Sequence, residues 1–305
     1  MPPRRTSSLL SLLVLLVVGL TACGAGSPED GDRVEETIRF ASYDFSENEI
    51  LAAVYAEAAR RAGLPVSVHP AAGTREVVEP ALEQGVVDVV IDYLGTAVRF
   101  ADPGSPDGAA APEQLHATLT AVLGPRGVTV LSPATAEDQN GFAVSRAFAT
   151  EHGVSRLSDL EPLAPGLAFG GPPECPERPL CLPGLREVYG LRFGSVVNMP
   201  SRAATVEALV AGSIQVGLLE TTDARLGGGG APVVLLADDR ALQPHENVVP
   251  LVRTAALDRW GDRLADALDA VSARLTTADL SGLNRAVEVE GLTPRAAAAR
   301  WWDGS

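Results

Sequence analysis

The chain has 305 residues, a net charge of −15 and a sequence pI near 4.7, and every one of its 24 basic residues is arginine. That balance excludes a nucleic-acid-binding surface, which needs a basic footprint, and suits a self-repelling protein outside the cytoplasm. The acidity is dispersed, as on solvated faces, and the length suffices for two domains with their own cores.

The N-terminus carries a targeting pattern. Arg4 and Arg5 precede an apolar run over residues 9–20, too short for a comfortable membrane span. It ends in Leu20-Thr21-Ala22-Cys23, followed by Gly24. This resembles the bacterial lipoprotein box, in which cleavage leaves a lipid-modified Cys23 at the new N-terminus; an ordinary secretory peptide with a chance cysteine is the alternative. Residues 1–23 are then a signal peptide, and the Gly/Ser/Asp/Glu-rich residues 24–36 a tether without regular structure. Removing Cys23 leaves Cys175 and Cys181, an even pair in an oxidising compartment. A disulfide closing so short a loop contributes about 2 kcal/mol. A metal site is the alternative, weakened by the scatter of the four histidines.

Residues 38–42 open the fold as a strand. Ser46-Glu47-Asn48-Glu49 has capping-box spacing, and Ile50, Leu51, Val54, Ala58 and Ala62 give the next helix its period, with Gly63 as its stop. A strand over 66–69, a helix from Thr74 to Leu82 and a strand over 86–91 follow. This β-α-β-α-β order predicts a parallel sheet. The last strand runs into the corner Asp92-Tyr93-Leu94-Gly95-Thr96, where an α/β protein opens a ligand crevice. Residues 102–111 read as a loop, 113–123 as a helix and 128–131 as a strand. A second α/β unit starts near Gly141, with strands over 142–144, 167–169, near 196, 214–219 and 233–236. Its helices fall over 146–151, before Tyr189 and over 202–211, and Gly227 to Gly230 form a loop. A returning strand over 248–252 and helices over 258–274, 279–287 and 293–301, with Thr277 and Thr293 as caps, close the first domain. The expected architecture is α/β and periplasmic-binding-protein-like (type II), with two lobes, two hinge crossings and a ligand cleft between them. Lobe I takes residues 37–137 and 247–305, and lobe II 138–246.

Motifs in this order resemble the substrate-binding proteins of osmoprotectant ABC importers, the glycine betaine/choline/carnitine class. They are Ser42-Tyr43-Asp44-Phe45-Ser46-Glu47, Gly73-Thr74-Arg75, the Tyr93-Leu94-Gly95-Thr96 corner, Thr222-Asp223, and Asp238-Asp239 ahead of Asn247-Val248-Val249-Pro250-Leu251-Val252-Arg253. The resemblance runs from Ile38 to Trp302. It implies a solute cleft, docking onto a permease driven by a cytoplasmic ATPase, and no catalysis. It also implies an aromatic cage for a quaternary ammonium, which offers no N–H hydrogen and is held by ring faces. Tyr93 matches a cage tyrosine, and Thr96 a position that helps hold a ligand carboxylate. Elsewhere the chain departs from the pattern. Val90 replaces a corner tyrosine, Tyr43 a lysine, and Asn140, Glu220 and Glu246 stand where aromatic residues are common.

The ligand-binding candidates are therefore Tyr43, Phe45, Tyr93, Thr96, Asn140, Arg178, Glu220 and Glu246. Glu220 and Glu246 suit a cationic or polyhydroxyl solute if they face inward, or are rim carboxylates if they do not. Arg178, in the disulfide loop, would meet an anionic group, or is a surface arginine. Asp92 is expected to anchor the corner's own backbone, and Tyr55 and Tyr189 to be structural. No nucleophile elbow, P-loop, metal-ligand cluster or Cys–His pair supports an enzyme, and no cofactor is implied. The expected protein is a monomeric, lipid-anchored, extracytoplasmic solute-binding protein. A betaine-type amine is the ligand by resemblance, and the alternatives are a different solute in the same fold or a sensor lobe uncoupled from transport.

Overall fold

The computed structural model describes residues 37–104, 110–226 and 230–304. The expectations for Arg4, Arg5, Cys23 and residues 24–36 lie outside the described residues, as do parts of the 102–111 and 227–230 loops. Among the described residues, no helix is long and apolar enough to cross a membrane.

The chain opens with β1 (Ile38–Tyr43), α1 (Ser46–Arg61), β2 (Val66–Gly73), α2 (Arg75–Glu83), β3 (Val89–Tyr93), α3 (Leu94–Ala101), α4 (Pro112–Leu123) and β4 (Val128–Val130). Next come β5 (Asn140–Ser145), α5 (Arg146–His152), β6 (Ala168–Gly171), α6 (Leu182–Tyr189), β7 (Ser195–Asn198), α7 (Arg202–Ala211), β8 (Val216–Glu220) and β9 (Val233–Leu236). The chain then returns through β10 (Val248–Arg253) and ends in α8 (Thr254–Trp260), α9 (Asp262–Ser272), α10 (Thr277–Glu288) and α11 (Pro294–Gly304).

Two mixed sheets result, in strand orders β2-β1-β3-β10-β4 and β7-β6-β8-β5-β9. In the first, β1 pairs in parallel with β2 and β3, as the alternating sequence order predicts. The returning β10 inserts between β3 and β4, antiparallel to both, with Val248 opposite Tyr93 and Val249 opposite Asp92. A strand in that place is covered on both faces, which is why β3 is apolar almost throughout. Val89, Ile91 and Tyr93 join a core with α1 and the C-terminal helices, while Val90 joins one with α2, α3 and α4. In the second sheet β5 runs antiparallel to β8 and β9, over a core of Phe142, Phe169, Leu185 and Tyr189. The two crossings lie side by side: Glu137 bridges Asn247, and the Asp138 N–H donates to the Glu246 carbonyl at 3.2 Å.

Local structure differs from expectation in four places. Ser46 is the first residue of α1 and makes no cap; Phe45 takes the cap position, and Asn48 instead accepts from the Tyr43 N–H (2.7 Å) and donates to the Ile91 carbonyl (2.8 Å). The 92–96 corner, not expected to be helical, starts a helix: β3 passes directly into α3, whose Leu94, Ala97, Val98 and Ala101 are buried at helical spacing. The helix expected over 258–274 is two, α8 and α9, split at Gly261, whose φ of +64° no helix accommodates. Thr276 rather than Thr277 caps α10, sharing a reciprocal box with Asp279, whereas the Thr293 hydroxyl does accept from the Ala296 N–H at 3.2 Å.

Candidate ligand cleft

The C-terminal ends of β1 and β3 face the junction of β5 and β8 across a cleft of about 580 Å³. Its position outside the carboxyl ends of parallel strands follows from the sheet order. Phe45, in the turn after β1, exposes 42% of its surface there. Its ring lies between those of Tyr43 and Tyr93, with centroids 6.2 and 6.3 Å away and planes inclined by 18° and 27°. Tyr93 lines the cleft; Tyr43 sits behind the wall, buried, and donates its hydroxyl to Asp92 at 2.6 Å.

Asp92 is the fixed point of this wall. Fully buried, it accepts from the Tyr93 N–H (2.8 Å), as expected of a backbone anchor, and also from Arg75 through two nitrogens (2.6 and 3.1 Å). The Arg75 guanidinium lies 4.8 Å above the Tyr43 ring. Burial works against the Arg75 charge, but Asp92 outweighs it and holds that residue more firmly protonated than usual. Neighbouring Glu79 is pushed up to about 8 by burial and by the Asp92 charge.

A second cluster spans the sheets. Glu47 accepts from the Tyr93 hydroxyl (2.6 Å), the Asn284 amide (2.6 Å) and the Thr222 hydroxyl (2.5 Å). The same Thr222 oxygen lies 2.7 Å from Asp138. One hydroxyl hydrogen cannot serve two carboxylates, so this pair retains an extra proton. Burial pushes both acids upward, and the Glu47 charge adds to the effect on Asp138.

The third cluster is the α3 N-terminus. Its first two N–H groups donate to the return crossing, Leu94 to the Asn247 carbonyl and Gly95 to that of His245, each at 3.0 Å. The third, on Thr96, donates to Glu246 at 2.9 Å, and the Thr96 hydroxyl donates to the other Glu246 oxygen at 2.6 Å. Gly95 permits this approach, because a Cβ there would meet His245 O and the Pro244 ring at 2.9 Å. Glu246 is buried, which pushes it up to about 7 against the Thr96 bonds; the Arg99 guanidinium stands 4.0 Å away.

The second sheet supplies the opposite wall. Arg202 donates through Nε to both Glu220 oxygens (2.8 and 2.6 Å), with Nη2 also on Glu220. Asn140 pairs with Glu220 across β5 and β8 and donates to Gln243 at 3.4 Å. Cys175 and Cys181 are joined, their Cα atoms 5.3 Å apart. That loop brings Leu180 to the cleft, where the Gln243 amide donates to its carbonyl at 2.9 Å.

Of the expected site residues, the structure gathers Phe45, Tyr93, Thr96, Asn140, Glu220 and Glu246 at the cleft. It does not bring Tyr43 there, which packs one layer back, or Arg178, which is exposed on the disulfide loop and away from the lining. The arginines at the cleft are Arg75 and Arg202. Sequence reasoning also missed Glu47, Asp138, Thr222 and Asn284 as site groups. For Thr222 the Thr222-Asp223 motif was a signal, whereas Glu47 was hidden inside an apparent capping box.

The family described as the substrate binding domain of ABC-type glycine betaine transport systems matches residues 36–304. A glycine-betaine-binding protein of Pseudomonas aeruginosa is 28% identical over 95% of this chain and 93% of its own. The glycine betaine-binding protein YehZ of Escherichia coli is 24% identical over 95% and 94%. A crystal structure described as a glycine betaine/carnitine/choline ABC transporter superposes with a TM-score of 0.79 at 18% identity, covering 88% of this chain and 98% of that one. The shared fold is that of type II periplasmic binding proteins, two α/β lobes with mixed sheets. Substrate-binding proteins of ABC importers are extracytoplasmic, bind a small solute, work with a permease and are not enzymes. The chain belongs to the family of substrate-binding domains of ABC-type glycine betaine transport systems.

Proposed function

We propose that this protein is a monomeric, lipid-anchored solute-binding protein that captures a small cation of the quaternary-ammonium type and delivers it to its permease. Lobe I (residues 37–137 and 247–305) and lobe II (138–246) close on the solute, and Cys23 carries the anchor. The observation that carries the reading is the composition of the cleft. Among the described residues, an exposed Phe45 beside Tyr93 stands with six lining carboxylates (Glu47, Asp138, Glu220, Asp223, Glu246, Glu288) and two arginines. A cation that cannot donate N–H bonds is held by ring faces and by net negative charge. The names of the relatives, glycine betaine-binding proteins, support the same class of solute.

The test is a thermal-shift panel of choline, glycine betaine, carnitine, amino acids, polyamines and sugars, followed by calorimetry on the best compound. A quaternary amine is expected to raise the melting temperature most. Tyr93→Ala is expected to weaken that compound at least tenfold, about 1.4 kcal/mol. No stabilisation by any compound at millimolar concentration would overturn the reading, and an unchanged affinity in Tyr93→Ala would remove Tyr93 from the site.

A further inference from the structure

We propose that the cleft selects a cation bearing no carboxylate of its own, because Glu246 already occupies the position in which the carboxylate of a zwitterionic solute would be held. The inference rests on the quaternary-ammonium reading above and narrows it. A zwitterion needs two complementary regions, one for its cation and one for its carboxylate. For the carboxylate, the strongest donors at the cleft are the α3 N-terminus with the Thr96 hydroxyl and the guanidinium groups of Arg75 and Arg202, with the Ser46 and Ser201 hydroxyls beside them.

The α3 N-terminus and both guanidinium groups are already engaged. The first three N–H groups of α3 go to the return crossing, and Glu246 takes both the Thr96 N–H and the Thr96 hydroxyl. Arg75 is held by Asp92 through two nitrogens, and Arg202 by both oxygens of Glu220. Glu246 is not a mobile rim side chain. It is 6% exposed, and the segment carrying it is drawn against the helix by the absence of a Cβ at Gly95. A solute carboxylate entering here would meet occupied donors and the Glu246 carboxyl itself, an arrangement that leaves the incoming carboxylate unpartnered and so discriminates against it. A solute with the same trimethylammonium head and a neutral hydroxyl end meets neither obstacle, and Phe45, exposed beside the largely buried Tyr93, remains available to its head.

Choline and glycine betaine share that head and differ at the other end, so they are the probes. By calorimetry on the mature chain, choline is expected to bind at least tenfold more tightly than glycine betaine. Equal or tighter binding of glycine betaine would overturn this inference while leaving the quaternary-ammonium reading standing. Binding of neither would overturn that reading and the inference with it. Glu246→Ala, which frees the Thr96 donors, is expected to lower the choline preference at least tenfold, mainly by strengthening glycine betaine; an unchanged preference would overturn the role of Glu246. Glu246→Gln keeps an oxygen on Thr96 but removes the charge, so choline is expected to weaken severalfold without a matching gain for glycine betaine. A tenfold gain for glycine betaine in Glu246→Gln would count against occupancy of the donors as the cause. If Glu246→Ala does not fold, the wild-type comparison decides.

Discussion

The two walls of the cleft satisfy their carboxylates in opposite ways. On the first-sheet wall, Glu246 and Glu47 are buried and receive neutral donors: an N–H and a hydroxyl from Thr96 for one, and Tyr93, Thr222 and Asn284 for the other. On the second-sheet wall, Glu220 is half-buried and meets a guanidinium. Neutral donors bring no countercharge to the acid, whereas an arginine does. Under the proposed function the first wall is therefore the one whose acids answer to an arriving cation, since the proton held between Glu47 and Asp138 and that of Glu246 can be released against it, while the second supplies shape with little net charge.

The largest expected effect breaks the support of the first wall. Asp92→Ala removes the bidentate partner of Arg75, leaving it only Glu79 at 3.6 Å, together with the acceptor of the Tyr43 hydroxyl and the Tyr93 N–H. The loss should be about 3–5 kcal/mol in urea unfolding, the cost of stranding a largely buried charge. A loss below about 1 kcal/mol would mean that the wall does not depend on this anchor.

The next effect is smaller and depends on pH. Glu246, pushed up to about 7, and Glu79, pushed up to about 8, bind their protons more tightly folded than unfolded. The stability they contribute is whole below the ordinary value of 4.5 and is lost as pH rises through about 7 and 8. The melting temperature of the ligand-free protein should fall across that window, and Glu246→Gln should flatten the fall. A melting temperature that rises over the same range would reverse the sign of the argument.

How far these walls could be read in the sequence follows from the reach of each contact. The apolar run of β3, the helical period of α1 and the stop at Gly63 are local, and the structure places those elements within a few residues of expectation. Tyr93 and Thr96 were legible through a motif that travels as one piece. Glu47 was not, because Ser46-Glu47-Asn48-Glu49 reads as a cap, and only the arrival of Thr222 and Asn284 from far along the chain turns Glu47 into a cleft residue. Arg178 and Arg202 look alike in sequence; the pairing of β5 with β8 brings Glu220, and with it Arg202, to the cleft instead. The α3 helix was hidden because Gly95 and Thr96 suggest a turn, and its reason for being there lies in the return crossing.

The smallest expected effect sharpens the contrast on the second wall. The Arg202–Glu220 pair is about 30% exposed on each side, so Arg202→Ala should cost no more than about 1 kcal/mol of stability. Calorimetry should show cation affinity rising by less than tenfold as the Glu220 charge is released. A loss of cation affinity would mean that Arg202 contributes attraction, and the division between the walls would fall.

Gly95 gives the cleft a control point outside its own lining. With nothing beyond its Cα, it sets the separation between the α3 N-terminus and the crossing at Pro244 and His245. One added methyl group there must displace the crossing or the helix, so Gly95→Ala is expected to loosen Glu246 from Thr96 and, on the choline-selective reading, to raise glycine betaine affinity in calorimetry. On that reading, ligand preference is set in part by a spacer in the scaffold, with every residue facing the solute left unchanged.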